Sequence, residues 1–179
     1  MIAVDTNILI YAHRADSPFY RAAYRCVDSL ASGLEEWAIP WPCVYEFLAV
    51  VTKPKALRPP TSLDAALDQV EVWLSSPGLV LLEETSDHWR TLTETLRSGH
   101  VSGGLVHDAR IAALCLEHGV HELWTADRDF SRFTDLATYN PLVADQVHDS
   151  RPAYAAAQRA RAAGRRRAAV ARLTQSLPS

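Results

Sequence analysis

The sequence predicts an α/β fold in which a parallel sheet is layered with helices. Two observations carry this. Short apolar runs that suit strands recur at 2–4, 37–40, 79–82 and 122–125, and stretches of helical spacing separate them. The first run, Ile2-Ala3-Val4, is of the kind that makes a strand buried on both faces, and Asp5 then arrives abruptly. The carboxyl ends of strands are where open α/β sheets bind ligands.

Each element has its own signals. Residues 1–5 read as a strand, and 8–15 as a helix with Ile8, Leu9, Tyr11 and Ala12 on overlapping faces. Ser17-Pro18 opens a helix over 19–31, with proline at its first position, and Gly33 ends it. After the strand at 37–40, Pro40 and Pro42 lead into a helix over 44–52 that Lys53-Pro54 closes. A proline- and lysine-containing loop spans 53–60. Ser62 caps a helix over 63–74, and the turn Ser75-Ser76-Pro77-Gly78 delivers the strand at 79–82. Ser86 or Asp87 caps a helix over 89–97, and a loop covers 98–104. The helix over 105–118 ends on Gly119, a left-handed terminator. A strand at 122–125, a loop at 126–130 and a last short strand near 137–139 complete the pattern.

A chain of 179 residues, 48% apolar, fits one folded domain with an appendage. Cys26, Cys43 and Cys115 are far apart and form no C-x-x-C, so reduced thiols are expected. No basic segment precedes a long apolar run, and no run of about 18 apolar residues exists. A cytoplasmic protein with no membrane contact is the expectation. Residues 151–179 hold seven arginines and no acid; removing that +7 from the net −3 leaves −10 for residues 1–150. An acidic body is not the usual footprint of a nucleic-acid binder. If it handles a polyanion, cations or the tail must offset that charge. The tail, alanine- and arginine-rich with Gly164 as an interruption, allows three readings. It is a helix on RNA phosphates, a helix docked on the acidic body or a partner, or a solvated, partly disordered end; the last is the working expectation.

Acidic residues in unusual settings carry the chemistry. Asp5 ends a buried strand, where an unpartnered carboxylate costs several kcal/mol or shifts its pKa. Glu46 is the lone charge in Val44-Tyr-Glu46-Phe-Leu-Ala-Val-Val51, a helix apolar nearly all round and therefore read as buried, with Glu46 in its first turn. Asp108 opens the apolar helix 105–116, with Ala112 and Cys115 on its face. Asp127 and Asp129 follow the strand that ends at Thr125, which adds a hydroxyl. Each has a plainer explanation, as a helix cap or an Asp-rich turn. Converging at the end of the sheet, they form a pocket of like charge that needs compensation. Oxygen donors without a cysteine or histidine set suit Mg²⁺ or Mn²⁺, and the chemistry is metal-assisted attack of water on a phosphodiester.

Other signals are weaker. His118-x-x-His121 has metal-like spacing but lacks further ligands and reads as surface. His107 beside Asp108 reads as a helix-face histidine. Trp37, Trp41 and Trp124 are expected in the core, and Trp73 and Trp89 on a partner surface. No P-loop or G-x-G-x-x-G is present, and Asp5-Thr6-Asn7 lacks the second aspartate of a D-x-D phosphatase.

The ordered set Val4-Asp5-Thr6-Asn7, the lone Glu46, His107-Asp108-Ala109 with Ile111-Ala112, Thr125-Ala-Asp127-Arg-Asp129-Phe130 and the closing Asn140-Pro141-Leu142 resembles the PIN-domain ribonucleases. Within them it resembles VapC toxins of type II toxin–antitoxin systems. The resemblance covers roughly residues 1–145, and the arginine-rich stretch 146–179 lies outside it. It implies a three-layer α/β/α sandwich, a Mg²⁺- or Mn²⁺-dependent endoribonuclease, a cognate antitoxin and a homodimer. It matches Asp5, Glu46, Asp108 and Asp127 to the acidic quartet, which both binds metal and catalyses. Asp129 is a fifth metal-binding candidate that the sequence does not rank against Asp127, and Thr6, Asn7 and Thr125 are supporting residues. Lys53, Lys55, Arg58 or the tail would hold RNA. The rival readings are a non-catalytic RNA- or protein-binding module and a DNA nuclease of the same fold.

Overall fold

The computed structural model describes residues 1–54 and 57–143. Among them, one sheet contains β1 (Ile2–Val4), β2 (Trp37–Pro40), β3 (Leu79–Leu82), β4 (Glu122–Trp124) and β5 (Thr138–Tyr139). All pairings are parallel, in the order β3-β2-β1-β4-β5. The helices are α1 (Thr6–His13), α2 (Tyr20–Ser32), α3 (Trp41–Val51), α4 (Leu63–Leu74), α5 (His88–Ser98) and α6 (Val106–Glu117). Helix α1 packs on α2 and α3, α3 on α4, and α5 on α6. With the sheet between these two sets, the molecule is the expected three-layer α/β/α sandwich.

The strand order positions the site. From β1 the chain steps outward through β2 to β3, then returns to the other side of β1 for β4 and β5. The order reverses between β1 and β4, and ligands of open α/β sheets bind at such a reversal. Ala3 and Val4 are consecutive and fully buried, as are Trp37 and Ala38, so the central strands are covered on both faces. Trp37 anchors the start of β2: its backbone N–H donates to the Gly78 carbonyl at 3.0 Å and its indole N–H to Ser76 Oγ at 3.1 Å. A Cβ at Gly78 would stand 2.7 Å from the Glu35 carbonyl oxygen, so only glycine fits this turn.

Several elements differ from the sequence reading for identifiable reasons. Helix α1 starts at Thr6 rather than residue 8, because Asp5 is its N-cap and accepts the Thr6 N–H. Helix α3 starts at Trp41, since Pro42 fits a first turn that needs no N–H donor. Glu46 therefore sits in the second turn, beyond the reach of an N-terminal cap. Helix α3 is not buried all round. Cys43, Val44, Phe47 and Val51 face inward, while Tyr45, Glu46 and Ala49 are exposed. Trp73 is core, not partner surface: its ring packs edge-on against Phe47 with centroids 4.8 Å apart. Trp41 and Trp124 are half-buried rather than core, and Trp89 is exposed as expected. The loop expected at 126–130 instead leads into a short 3-10 helix, Arg128–Arg132. Gly119 has the expected left-handed φ of 61°. Lys55 and the whole basic tail lie outside the described residues. Among the described residues no helix is long and apolar enough to cross a membrane.

Phe47 joins α1, α3 and α4, with His13 on one side at a ring separation of 5.2 Å and Trp73 on the other. Phe47→Ala is expected to destabilise the fold by about 3–5 kcal/mol. Urea unfolding should show this as a lowered midpoint with an unchanged slope.

Candidate active site

Asp5 closes β1 with only 4% of its surface exposed. Its Oδ1 accepts the Thr6 backbone N–H at 2.7 Å and the Cys43 thiol at 3.8 Å. Its Oδ2 accepts the Thr125 hydroxyl at 2.7 Å and the Asn7 side-chain amide. Four donors thus meet a carboxylate that burial alone would penalise. Burial is still the largest influence and raises the Asp5 pKa from 3.8 to about 6. The Thr125 and Thr6 hydrogen bonds pull it down, and the charges of Glu46 and Asp108 push it up.

Thr125, buried just beyond β4, saturates its hydroxyl. It donates to Asp5 and accepts from Asn7 Nδ2 and the Asp127 N–H, both at 3.0 Å. Asn7 Oδ1 in turn accepts the Ala126 N–H at 3.0 Å. Asn7 and Thr125 therefore fasten the ends of β1 and β4 across the crevice where the strand order reverses. Thr6 brings in the third element: its hydroxyl donates to Glu46 Oε2 on α3 at 2.7 Å. That bond, rather than a helix cap, accounts for the orientation of Glu46.

The remaining carboxylates come from α6 and the loop after β4. Asp108 lies in the first turn of α6, and carboxylate oxygens of Asp108, Asp127 and Asp129 all lie within 4.8 Å of one another. Burial first, then the charges of Asp127, Asp129 and Glu46, raise the Asp108 pKa; His107 pulls it the other way. Asp127 Oδ1 accepts the Asp129 N–H at 2.8 Å and so caps the short 3-10 helix. Asp129 pairs with Arg132 at 3.1 Å. Among the described residues no ion pair reaches Asp5, Asp108 or Asp127. The ion pair is one difference between Asp129 and Asp127 that the sequence does not carry.

All five acidic residues thus belong to one electrostatic cluster, and Thr6, Asn7 and Thr125 are its scaffold. The trio, with Asp108 half-buried and Asp127 and Asp129 exposed, offers only hard oxygen donors at a spacing a small divalent cation can bridge, so the donor set fits Mg²⁺ or Mn²⁺. The sequence reading missed Cys43. It is fully buried, and burial holds its thiol well above the usual range, so it stays protonated and donates to Asp5. Nothing in its apolar neighbourhood marked it, apart from its place just after β2. His118 is occupied by the Glu83 carbonyl at 2.8 Å and lies outside the cluster.

The PIN domain family matches residues 2–136, spanning every element of this site. The chain belongs to the PIN-domain family. It falls within the VapC group of that family. Ribonuclease VapC37 of Mycobacterium tuberculosis is 33% identical over 133 residues, 74% of this chain and 92% of the relative. The VapC ribonuclease Mb2897 of Mycobacterium bovis is 32% identical over 142 residues, 79% of this chain and 96% of the relative. Among solved structures, VapBC2 from Rickettsia felis, bound to a DNA fragment from its promoter, has the same fold. Its TM-score is 0.57 at 21% identity, over 78% of this chain and 98% of that one.

The raised Asp5 pKa sets a sign for stability. The folded state holds the Asp5 proton more tightly than the unfolded chain does. The stability gained from that proton is complete below pH 3.8 and is lost as pH rises through about 6. The loss is about 3 kcal/mol from this group. Chelator-treated protein should therefore lose urea resistance between pH 4 and pH 7, and Asp5→Asn should flatten that decline.

Proposed function

We propose that this protein is an endoribonuclease that hydrolyses RNA phosphodiester bonds with Mg²⁺ or Mn²⁺ at the Asp5 cluster, and that a cognate antitoxin holds it inactive. The observation that carries the reading is the trio Asp108, Asp127 and Asp129, with oxygens within 4.8 Å of one another beside the buried Asp5. Relatives named as ribonucleases, matched over most of their length, support RNA as the substrate. The antitoxin, the homodimer and a cytoplasmic setting are extended to this chain from the family resemblance.

Asp5, Glu46, Asp108 and Asp127 would hold the cation, with Asp129 as an added ligand. A cation held there would supply a lowered pKa for a water and offset charge on the phosphodiester. The chain's own residues prepare the site. The Thr125 hydroxyl, the Thr6 N–H and the Asn7 amide fix the Asp5 carboxylate and favour its ionised form at neutral pH. The Thr6 hydroxyl orients Glu46, and Asp127 orients the turn that carries Asp129. Lys53 and Arg58, both exposed in the loop after α3, would meet backbone phosphates.

The test is cleavage of a mixed RNA pool by purified, antitoxin-free protein, with Mg²⁺ or Mn²⁺, with chelator, and beside Asp5→Asn. Cleavage that needs metal and drops on the order of 100-fold in the variant is expected. Asp127→Asn should lose more activity than Asp129→Asn, because Asp129 shares its carboxylate with Arg132. Mn²⁺ should also raise the melting temperature of the native protein and fail to do so for Asp127→Asn. Folded protein that binds RNA yet cleaves under no metal would overturn the reading in favour of a binding module. DNA cleaved in preference to RNA would overturn the substrate assignment.

A further inference from the structure

The turn after β4 carries one charged side chain that the carboxylate chemistry does not use. The backbone on both sides of it is fixed. The Thr125 hydroxyl accepts the Asp127 N–H at 3.0 Å, Asp127 Oδ1 accepts the Asp129 N–H at 2.8 Å, and Phe130 is buried against Phe133 with ring centroids 5.9 Å apart. Arg128 lies between these anchors and is exposed. An arginine that served to hold the turn would bond to it, as Arg132 does through the Asp129 carbonyl at 3.0 Å and the Asp129 carboxylate at 3.1 Å. Arg128 does not. Asp127 and Asp129 flank it on the chain, yet among the described residues no carboxylate pairs with its guanidinium. Its Cα is about 3.8 Å from the Cα of each. Those two aspartates supply two of the three carboxylates that meet within 4.8 Å. The guanidinium is thus held beside the trio by covalent geometry and stands clear of the oxygens that would bind a cation.

Charge says what it meets. Residues 1–150 carry a net −10, so a polyanion approaching the cluster is repelled, and a bound cation offsets that at one point only. Arg132 and Arg110, the other arginines of this turn and of α6, are committed to Asp129 and Glu84. Arg128 keeps its positive charge uncommitted at the edge of the trio. A guanidinium stays charged at any working pH and takes two phosphate oxygens at once.

We infer that Arg128 binds a backbone phosphate of the RNA strand next to the one held at the trio, and so positions the substrate without taking part in bond cleavage. This rests on the ribonuclease reading and assigns it a substrate-positioning residue. A phosphate contact carries no base information, so it adds affinity without sequence preference.

The test uses full-length, antitoxin-free protein, held in chelator to stop cleavage and titrated against fluorescein-labelled single-stranded RNA oligonucleotides at several salt concentrations. Arg128→Ala should bind about 10-fold more weakly at low salt. The slope of log affinity against log salt should shrink by about 0.7, and by the same amount for oligonucleotides of different sequence. Arg128→Lys, which keeps a point charge, should recover most of the affinity. With Mn²⁺ present, Arg128→Ala should raise KM by a similar factor and leave kcat unchanged. Mn²⁺ should raise the melting temperature of Arg128→Ala as much as that of native protein. Unchanged affinity and salt slope in Arg128→Ala would overturn the phosphate contact, even with metal-dependent cleavage intact. Loss of the Mn²⁺ shift in that variant would overturn it too, because the residue would then serve the trio and not the strand. A fall in kcat with KM unchanged would place the guanidinium on the reacting phosphate and overturn the positioning role. Arg128-dependent RNA binding without cleavage under any metal would keep the contact and remove the ribonuclease reading.

Discussion

The Asp5 carboxylate sits at the end of the central strand, where water cannot solvate it and an unmet charge would cost several kcal/mol. Its donors come from three separate parts of the chain: the start of α1, the start of α3 and the end of β4. Satisfying one side chain therefore fixes the relative positions of both strand ends and the helices that leave them. Thr125 shows how tightly this is drawn. Its single hydroxyl serves Asp5, Asn7 and the Asp127 N–H at once, and a side chain of the same shape without oxygen would leave all three short of a partner.

Around that fixed point the protein gathers negative charge. After burial, the charges of Glu46 and Asp108 raise the Asp5 pKa, and those of Asp127, Asp129 and Glu46 raise that of Asp108. Such an arrangement is stable only because the hydrophobic layers carry the fold. Ala3, Val4, Ile39, Leu123 and Phe47 are all essentially removed from water. Stored repulsion of this kind is common where a site is built for a charge that arrives from outside.

Much of the fold was legible because buried parallel strands write short apolar runs and helices write spacing. Four strands appeared where those runs lay, and the fifth, Thr138–Tyr139, where a last short strand was expected. The errors fell at helix starts. Asp5 and Pro42 each have two uses, and the sequence alone does not say which one the chain takes. As N-cap and first-turn proline they lengthened α1 and α3 and moved Glu46 a turn inward. The acidic residues were visible because a charge is conspicuous among apolar neighbours. Cys43 and the exposed ring of Tyr45 were not, because a thiol and a tyrosine fit an apolar run without contrast. Trp73, expected on the surface, is core, and Trp41, expected in the core, is only half-buried, for the same reason: hydrophobicity reports that a tryptophan prefers burial, not which of two faces achieves it.

The hydrogen bond between Thr125 and Asp5 spans 120 positions of sequence. During synthesis β1 leaves the ribosome long before the strand it must pair with. Through that interval its carboxylate has no Thr125 to meet, and the crevice between β1 and β4 does not exist. Contacts of such separation form late and slowly. The nascent chain is thus inert toward any substrate of this site until β4 and the loop beyond it have emerged. Topology alone thus delays assembly of the site.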